Sequence, residues 1–273
     1  SVWAAPFAFV FAFGAVQALM RGSIFLQYIS DESAPKWISA ALMLAIAWYA
    51  MRCGVETLLR VCGILFWLFC ISVVLLLISN VQEMRFYHLA LRPFSASEVF
   101  SAAFKGVSVS AQIPLFLWFS ASGTRRAQKG YSAAILAAMV LAAVFSTVSE
   151  MVLGTQAQMQ NQTVYALSRL GSISVMQRLD AMHCAVWMMM EITKVCAFAV
   201  GLRSALQFFL PQWNTERLCA GALSLLVVMF LLCYGLQDLQ RHWVETALSA
   251  AVLVLAAYQI QRQRRKANES NHG

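Results

Sequence analysis

The chain has 273 residues, 60% hydrophobic and only 12% charged, with a formal net charge of +8 and a mean hydropathy of +0.67. Those proportions exclude a water-soluble globular domain, whose solvated shell takes roughly a quarter of all residues as Asp, Glu, Lys and Arg. The basic excess does not mark a nucleic-acid partner. It lies in short connections between apolar runs and at the C-terminus, where basic residues flank membrane helices.

A helix that crosses about 30 Å of hydrocarbon needs about 20 apolar residues, and no backbone polar group can be left unpaired there. Repeated apolar runs of that length therefore predict an all-α integral membrane protein of about eight spans. The two-residue alternation of barrel strands is absent from the sequence.

The first span is predicted over Val2–Met20. No basic segment precedes it, so it reads as a retained span rather than a cleaved signal. The chain starts at Ser1 without an initiator Met, and the expectation is an N-terminally incomplete piece of a longer protein. The second span, Trp37–Ala50, is short and should extend into its flanks. The third to fifth are predicted over Val61–Ser79, Phe100–Ala121 and Ser132–Leu153. The connection after them, Gly154 to Asp180, is rich in Gln, Ser and Thr and is long enough to hold a short helix across an outer vestibule. Its Asn161–Thr163 sequon reads as a chance occurrence. The sixth to eighth spans are predicted over Ala181–Leu206, Leu218–Tyr234 and Val244–Ile260, making residues 1–261 one transmembrane domain. Residues 262–273 form a basic, polar tail that should carry no fixed structure.

Eight crossings put both termini on one side. That side collects eleven Lys and Arg in its connections, among them Arg52, Arg60, Arg203 and the Arg262–Lys266 group; the other side collects seven, among them Arg85, Arg92 and Arg178. The excess predicts a cytoplasmic C-terminus.

The seven cysteines lie in or beside apolar spans and make no Cys-x-x-Cys pair, so they read as small apolar fillers rather than zinc ligands or a disulfide framework. No phosphate-binding loop and no nucleophile–base constellation stands out, and the chain reads as a non-enzyme without a cofactor. His183, beside Cys184, reads as a packed or hydrogen-bonded side chain. Gln17 and Glu150 read as residues near span ends.

Two spans carry polar groups at membrane depth. Glu191 and Lys194 are one helical turn apart in the sixth, near its middle, and their spacing puts them on one face. A charge there costs about 2.5–3.5 kcal/mol to insert, so such residues face protein or a water-filled cavity. They line a substrate or coupling-ion cavity, or they form a neutralised structural pair between packed helices. The fourth span holds Lys105-Gly-Val-Ser-Val-Ser-Ala-Gln-Ile-Pro114. Pro114 removes a backbone donor and clashes with the carbonyl of Ser110, and Gly106 loosens the backbone. The result is either a discontinuous helix whose freed groups meet a ligand, or a Pro kink healed by serine hydroxyls.

Tyr49-Ala-Met-Arg-Cys-Gly-Val-Glu-Thr-Leu-Leu-Arg60 resembles a signature of the endospore germination permeases, the B subunits of nutrient germinant receptors. Tyr165-Ala-Leu-Ser-Arg-Leu-Gly-Ser-Ile-Ser-Val-Met-Gln-Arg-Leu-Asp180, followed by Trp187, is similar to that family's outer loop and eighth helix. The resemblance covers most of Pro35 to Leu210. It implies a ten-helix fold of the amino acid–polyamine–organocation (LeuT-like) type, built from two inverted five-helix repeats, with the present spans as helices three to ten.

On that reading the fourth span is one of the two broken helices that frame the substrate site, and the sixth lines it. The ligand site implied is Gly106, Ser108, Ser110 and Gln112, with Glu191 and Lys194 opposite. Two departures bear on it. The first two helices of the ten are missing from the chain as written, and the first would supply half of the site, which implies a fragment or a degenerate protein. Gln112 also stands where many relatives have an acidic residue, and a neutral amide does not attract an ammonium group as a carboxylate does.

The expected function is that of a membrane subunit of a spore nutrient receptor in the inner membrane of the spore, sensing a small germinant such as an amino acid. A larger membrane subunit and a lipoprotein subunit are the expected partners. The alternatives are a proton- or sodium-coupled amino acid transporter, and an assembly subunit with no ligand of its own.

Overall fold

The computed structural model describes residues 4–30, 35–88, 125–158, 163–170 and 180–235. The described residues form seven α-helices and contain no strand. These are α1 (Ala4–Ile29), α2 (Lys36–Cys53), α3 (Val55–Asn80), α4 (Arg125–Leu153), α5 (Thr163–Leu170), α6 (Asp180–Phe209) and α7 (Thr215–Gly235). Among the described residues, five stretches are long and apolar enough to cross a membrane: Ala5–Ile29, Val55–Glu83, Leu136–Leu153, Asp180–Phe209 and Thr215–Tyr234. Trp37–Cys53 is a shorter apolar helix. The fourth and eighth predicted spans and the tail lie outside the described residues.

Where helix ends differ from the apolar runs, polar residues continue the helix. α1 runs nine residues past Met20, through Arg21-Gly-Ser23, to Ile29. The interruption is absorbed because Ser23 Oγ donates to the carbonyl of Leu19, 2.8 Å away, hiding its hydroxyl inside its own helix. Ser149, Thr193 and Ser204 do the same in α4 and α6, each bonding the carbonyl four residues back. α3 opens at Val55 rather than Val61, because Glu56 in its first turn favours a helix N-terminus although hydropathy does not register it.

The break between α2 and α3 is a single residue, Gly54, with φ 86° and ψ 178°. Only glycine adopts that region without strain. A Cβ placed there would meet nothing within 4 Å, so backbone conformation, not space, makes glycine the fit. The Gly54 N–H caps α2 by donating to the carbonyl of Ala50, 3.0 Å away. After α6, Leu210 donates to Leu206, and Asn214 Oδ1 accepts from the Arg217 N–H at 3.1 Å to cap α7.

The chain divides into two compact units, with α3 and α6 contributing to each. In the first, α1 packs against both α2 and α7, which also touch each other. α1 is the inner helix: Phe11, Ala12, Ala15, Val16 and Leu19 are all buried. The Gly14 position lies so close to α6 that an added Cβ would stand 2.7 Å from the Phe198 ring. Arg203 of α6 donates to the Met51 carbonyl, one of the carbonyls left over at the C-terminal end of α2, and Arg52 pairs with Glu216 at 2.8 Å.

In the second unit, Leu76 of α3, Val148 of α4 and Leu167 of α5 form a buried cluster, with Phe145, Val152 and Val164 packed around it. The connection after the fifth span, which has the length for a short helix, holds one as α5, and its apolar face is seated on α3 and α4. The turn after α3 closes this end: the Met151 carbonyl accepts from the Arg85 N–H at 3.0 Å, with His88 Nδ1 3.1 Å away.

Large apolar side chains point outward on several helices, including Leu42 and Tyr49 of α2, Ile64 and Trp67 of α3, and Leu231 of α7. In water such faces would drive association; in a bilayer they are the solvated surface.

Candidate functional site

Among the described residues, helix α6 carries the densest set of polar groups within the candidate spans. At about 100° per residue, Asp180, His183, Cys184, Trp187, Glu191 and Lys194 fall on one face. Further along, Val195, Phe198, Leu202 and Ala205 continue the same face, all buried and apolar. The polar part of this face therefore occupies only its N-terminal half. Lys194 stands at the midpoint of α6, and Glu191 is about 5 Å nearer its N-terminal end.

Glu191 is 2% exposed and Lys194 is half-buried. Both have further interactions within the protein, as does Trp187 between the polar turns. Burial of an ionisable side chain in a candidate span requires a polar surround, since insertion of an unmatched charge is costly. The other four predicted ligand residues, Gly106, Ser108, Ser110 and Gln112, lie outside the described residues.

Two polar arrangements were not anticipated from the sequence as sites. His183 Nδ1 lies 2.9 Å from the hydroxyl of Ser72, and both residues are buried. This is a hydrogen bond between α3 and α6 at buried positions, and it gives the packed, hydrogen-bonded role expected for His183. The second centres on Asn80, fully buried at the end of α3. Its amide nitrogen donates to the carbonyls of Leu76 (2.8 Å) and Leu167 (3.3 Å) and to Ser79 Oγ (3.2 Å). That amide ties α5 to the end of α3. Neither Ser72 nor Asn80 has a sequence signal: a Ser in an apolar run, or an Asn at its end, looks like any self-bonded hydroxyl or interfacial cap.

Gln17 has a different setting from the one predicted. Because α1 continues to Ile29, Gln17 is a half-buried mid-helix residue rather than a span-end one. Glu150 is exposed near the C-terminal end of α4, as its position suggested. No group of three His, Cys, Asp or Glu suited to a metal ion occurs among the described residues.

Five helices of spanning length among the described residues, outward apolar faces and a polar stripe confined to half of one long helix define an integral membrane protein. Residues 4–241 match the family model described as spore germination protein, and the chain belongs to that family. No curated protein and no solved structure matches it.

Proposed function

We propose that this germination-related membrane protein is a subunit of a spore nutrient germinant receptor and senses a small germinant, such as an amino acid, through a transporter-like site. The observation that carries the proposal is the family match over residues 4–241, which takes in nearly all of the predicted spans. The buried Glu191 near the middle of α6 supports a polar cavity at that depth.

In this reading the chain is part of a ten-helix, inverted-repeat bundle. The Lys105–Pro114 stretch is a broken helix whose freed backbone groups, with Ser108, Ser110 and Gln112, orient the ligand beside Gly106. Glu191 and Lys194 neutralise each other or the ligand's ends. Binding favours one arrangement of the bundle over another by differential affinity, and the larger membrane subunit and the lipoprotein subunit read out that shift. The C-terminus is cytoplasmic.

The test is germination of spores that carry the full-length protein with single substitutions. Ser110→Ala and Gln112→Ala are expected to move the germinant dose–response to higher concentration by about tenfold each, the loss of one or two ligand hydrogen bonds. An unchanged dose–response for both, with the receptor present at normal level, overturns the site. Proteoliposomes holding the same protein are expected to show no concentrative uptake of labelled amino acids; gradient-driven accumulation would make it a transporter instead.

A further inference from the structure

One buried polar cluster has no part in the proposed ligand site. It lies where α3 meets the N-terminal end of α6, at Ser72 and His183, with Asp180 one turn earlier on α6. Ser72 Oγ engages His183 Nδ1 at 2.9 Å. The other ring nitrogen, Nε2, is sealed from solvent and has no hydrogen-bond partner among the described residues, and His183 as a whole is 6% exposed. Oδ1 of Asp180, one turn earlier on the same helix, is sealed and partnerless in the same way.

Buried polar atoms are almost always paired, and an ordered water serves where no protein group does. Two such atoms on successive turns point to a shared occupant rather than to two independent defects. Residues three apart on a helix lie on one face, offset by about 4.5 Å along the axis. A single molecule making two hydrogen bonds of about 2.8 Å covers that offset.

The chemistry of the two atoms selects the molecule. Asp180 Oδ1 accepts. If the Ser72 hydroxyl donates to Nδ1, the neutral ring carries its proton on Nε2 and donates there; if Nδ1 donates to Ser72, Nε2 accepts. The occupant must therefore donate to the carboxyl group and be able either to accept from the ring or to donate to it. Water does both, and it is small enough for a seam between packed helices.

We infer that one water molecule is bound between Asp180 Oδ1 and His183 Nε2, and that with Ser72 it forms a hydrated niche between α3 and α6. The niche depends on neither Gln112 nor Glu191, so it stands or falls separately from the germinant site.

The experiment uses the full chain in lipid nanodiscs with 15N-labelled histidine and solid-state NMR that reads polarisation passing from water protons to ring nitrogens. The His183 signals are identified by their disappearance in His183→Gln. Rapid transfer to His183 Nε2 is expected in the unsubstituted protein. It should persist in Asp180→Asn, which keeps an acceptor oxygen, and fall to background in Asp180→Leu. Absence of transfer in the unsubstituted protein overturns the inference, a result that needs no variant to fold. Undiminished transfer in folded Asp180→Leu overturns it as well, because the water would then be held without Asp180.

Discussion

Gly54 and Ser72 show how much a single side chain decides in an apolar chain. Gly54 occupies a backbone region that any Cβ disfavours, and it ends one helix so that the next begins one residue later. Gly54→Ala is expected to destabilise the protein by about 1–3 kcal/mol, seen as a lower midpoint of thermal unfolding in detergent. Since no atom of the described residues beyond its chain neighbours lies within 4 Å of that Cβ, enlarging a neighbour's space cannot rescue it. Ser72 contributes through its hydroxyl alone. Ser72→Ala is expected to cost about 0.5–2 kcal/mol, the range for a hydrogen bond between helices in a membrane, and His183→Phe in the same background should add less than it does alone. An additive pair of effects in unfolding measurements would mean that the two side chains do not act together.

Contacts between elements in this protein differ widely in what they should be worth. The ion pair of Arg52 and Glu216 is short at 2.8 Å, but its side chains are 53% and 71% exposed. Removing either is expected to change stability by less than about 1 kcal/mol, because exposed pairs are screened and must order two mobile side chains. The approach of α1 to α6 is the opposite case. Gly14→Ala forces a Cβ to 2.7 Å from the Phe198 ring, so that ring must move. The substitution should lower the unfolding midpoint, and Gly14→Ala with Phe198→Leu should recover part of the loss. No recovery would show that the clash is not with that ring. Asn80 is the element-scale link of the second unit. Asn80→Ala removes the bond to the Leu167 carbonyl and is expected to speed amide hydrogen exchange across α5 while leaving the middle of α6 unchanged.

At the scale of the whole molecule, the outward apolar residues of α2, α3 and α7 require a bilayer as solvent. Membranes washed with alkaline carbonate should retain the protein, and detergent should release it. The proposed cytoplasmic C-terminus is open to a direct measurement through Cys53, which is exposed at the end of α2. An impermeant maleimide should react with Cys53 in inverted vesicles and not in right-side-out ones; the reverse pattern would turn the whole topology over.

The membrane class, the helical class and the family were legible in the sequence, because each is written locally. A span is a run of apolar residues, and the two family blocks are short continuous stretches that fall on the α2–α3 break and on the α5–α6 region. Helix ends were less legible, since Arg21, Glu56 and Arg60 are polar residues inside helices and hydropathy reads them as boundaries. The buried ion-forming residue of α6 was legible from its depth in an apolar run.

What only the tertiary structure decided is which distant residues meet. Ser72 and His183 are 111 positions apart, and Asn80 and Leu167 are 87 apart. Along the chain Ser72, His183 and Asn80 are isolated polar side chains in or beside apolar stretches, Leu167 contributes only its backbone carbonyl, and no periodicity marks any of them. A hydrogen bond between buried helix faces depends on the facing helix's rotation and height to within about an ångström, and that is set by the packing of every helix around it.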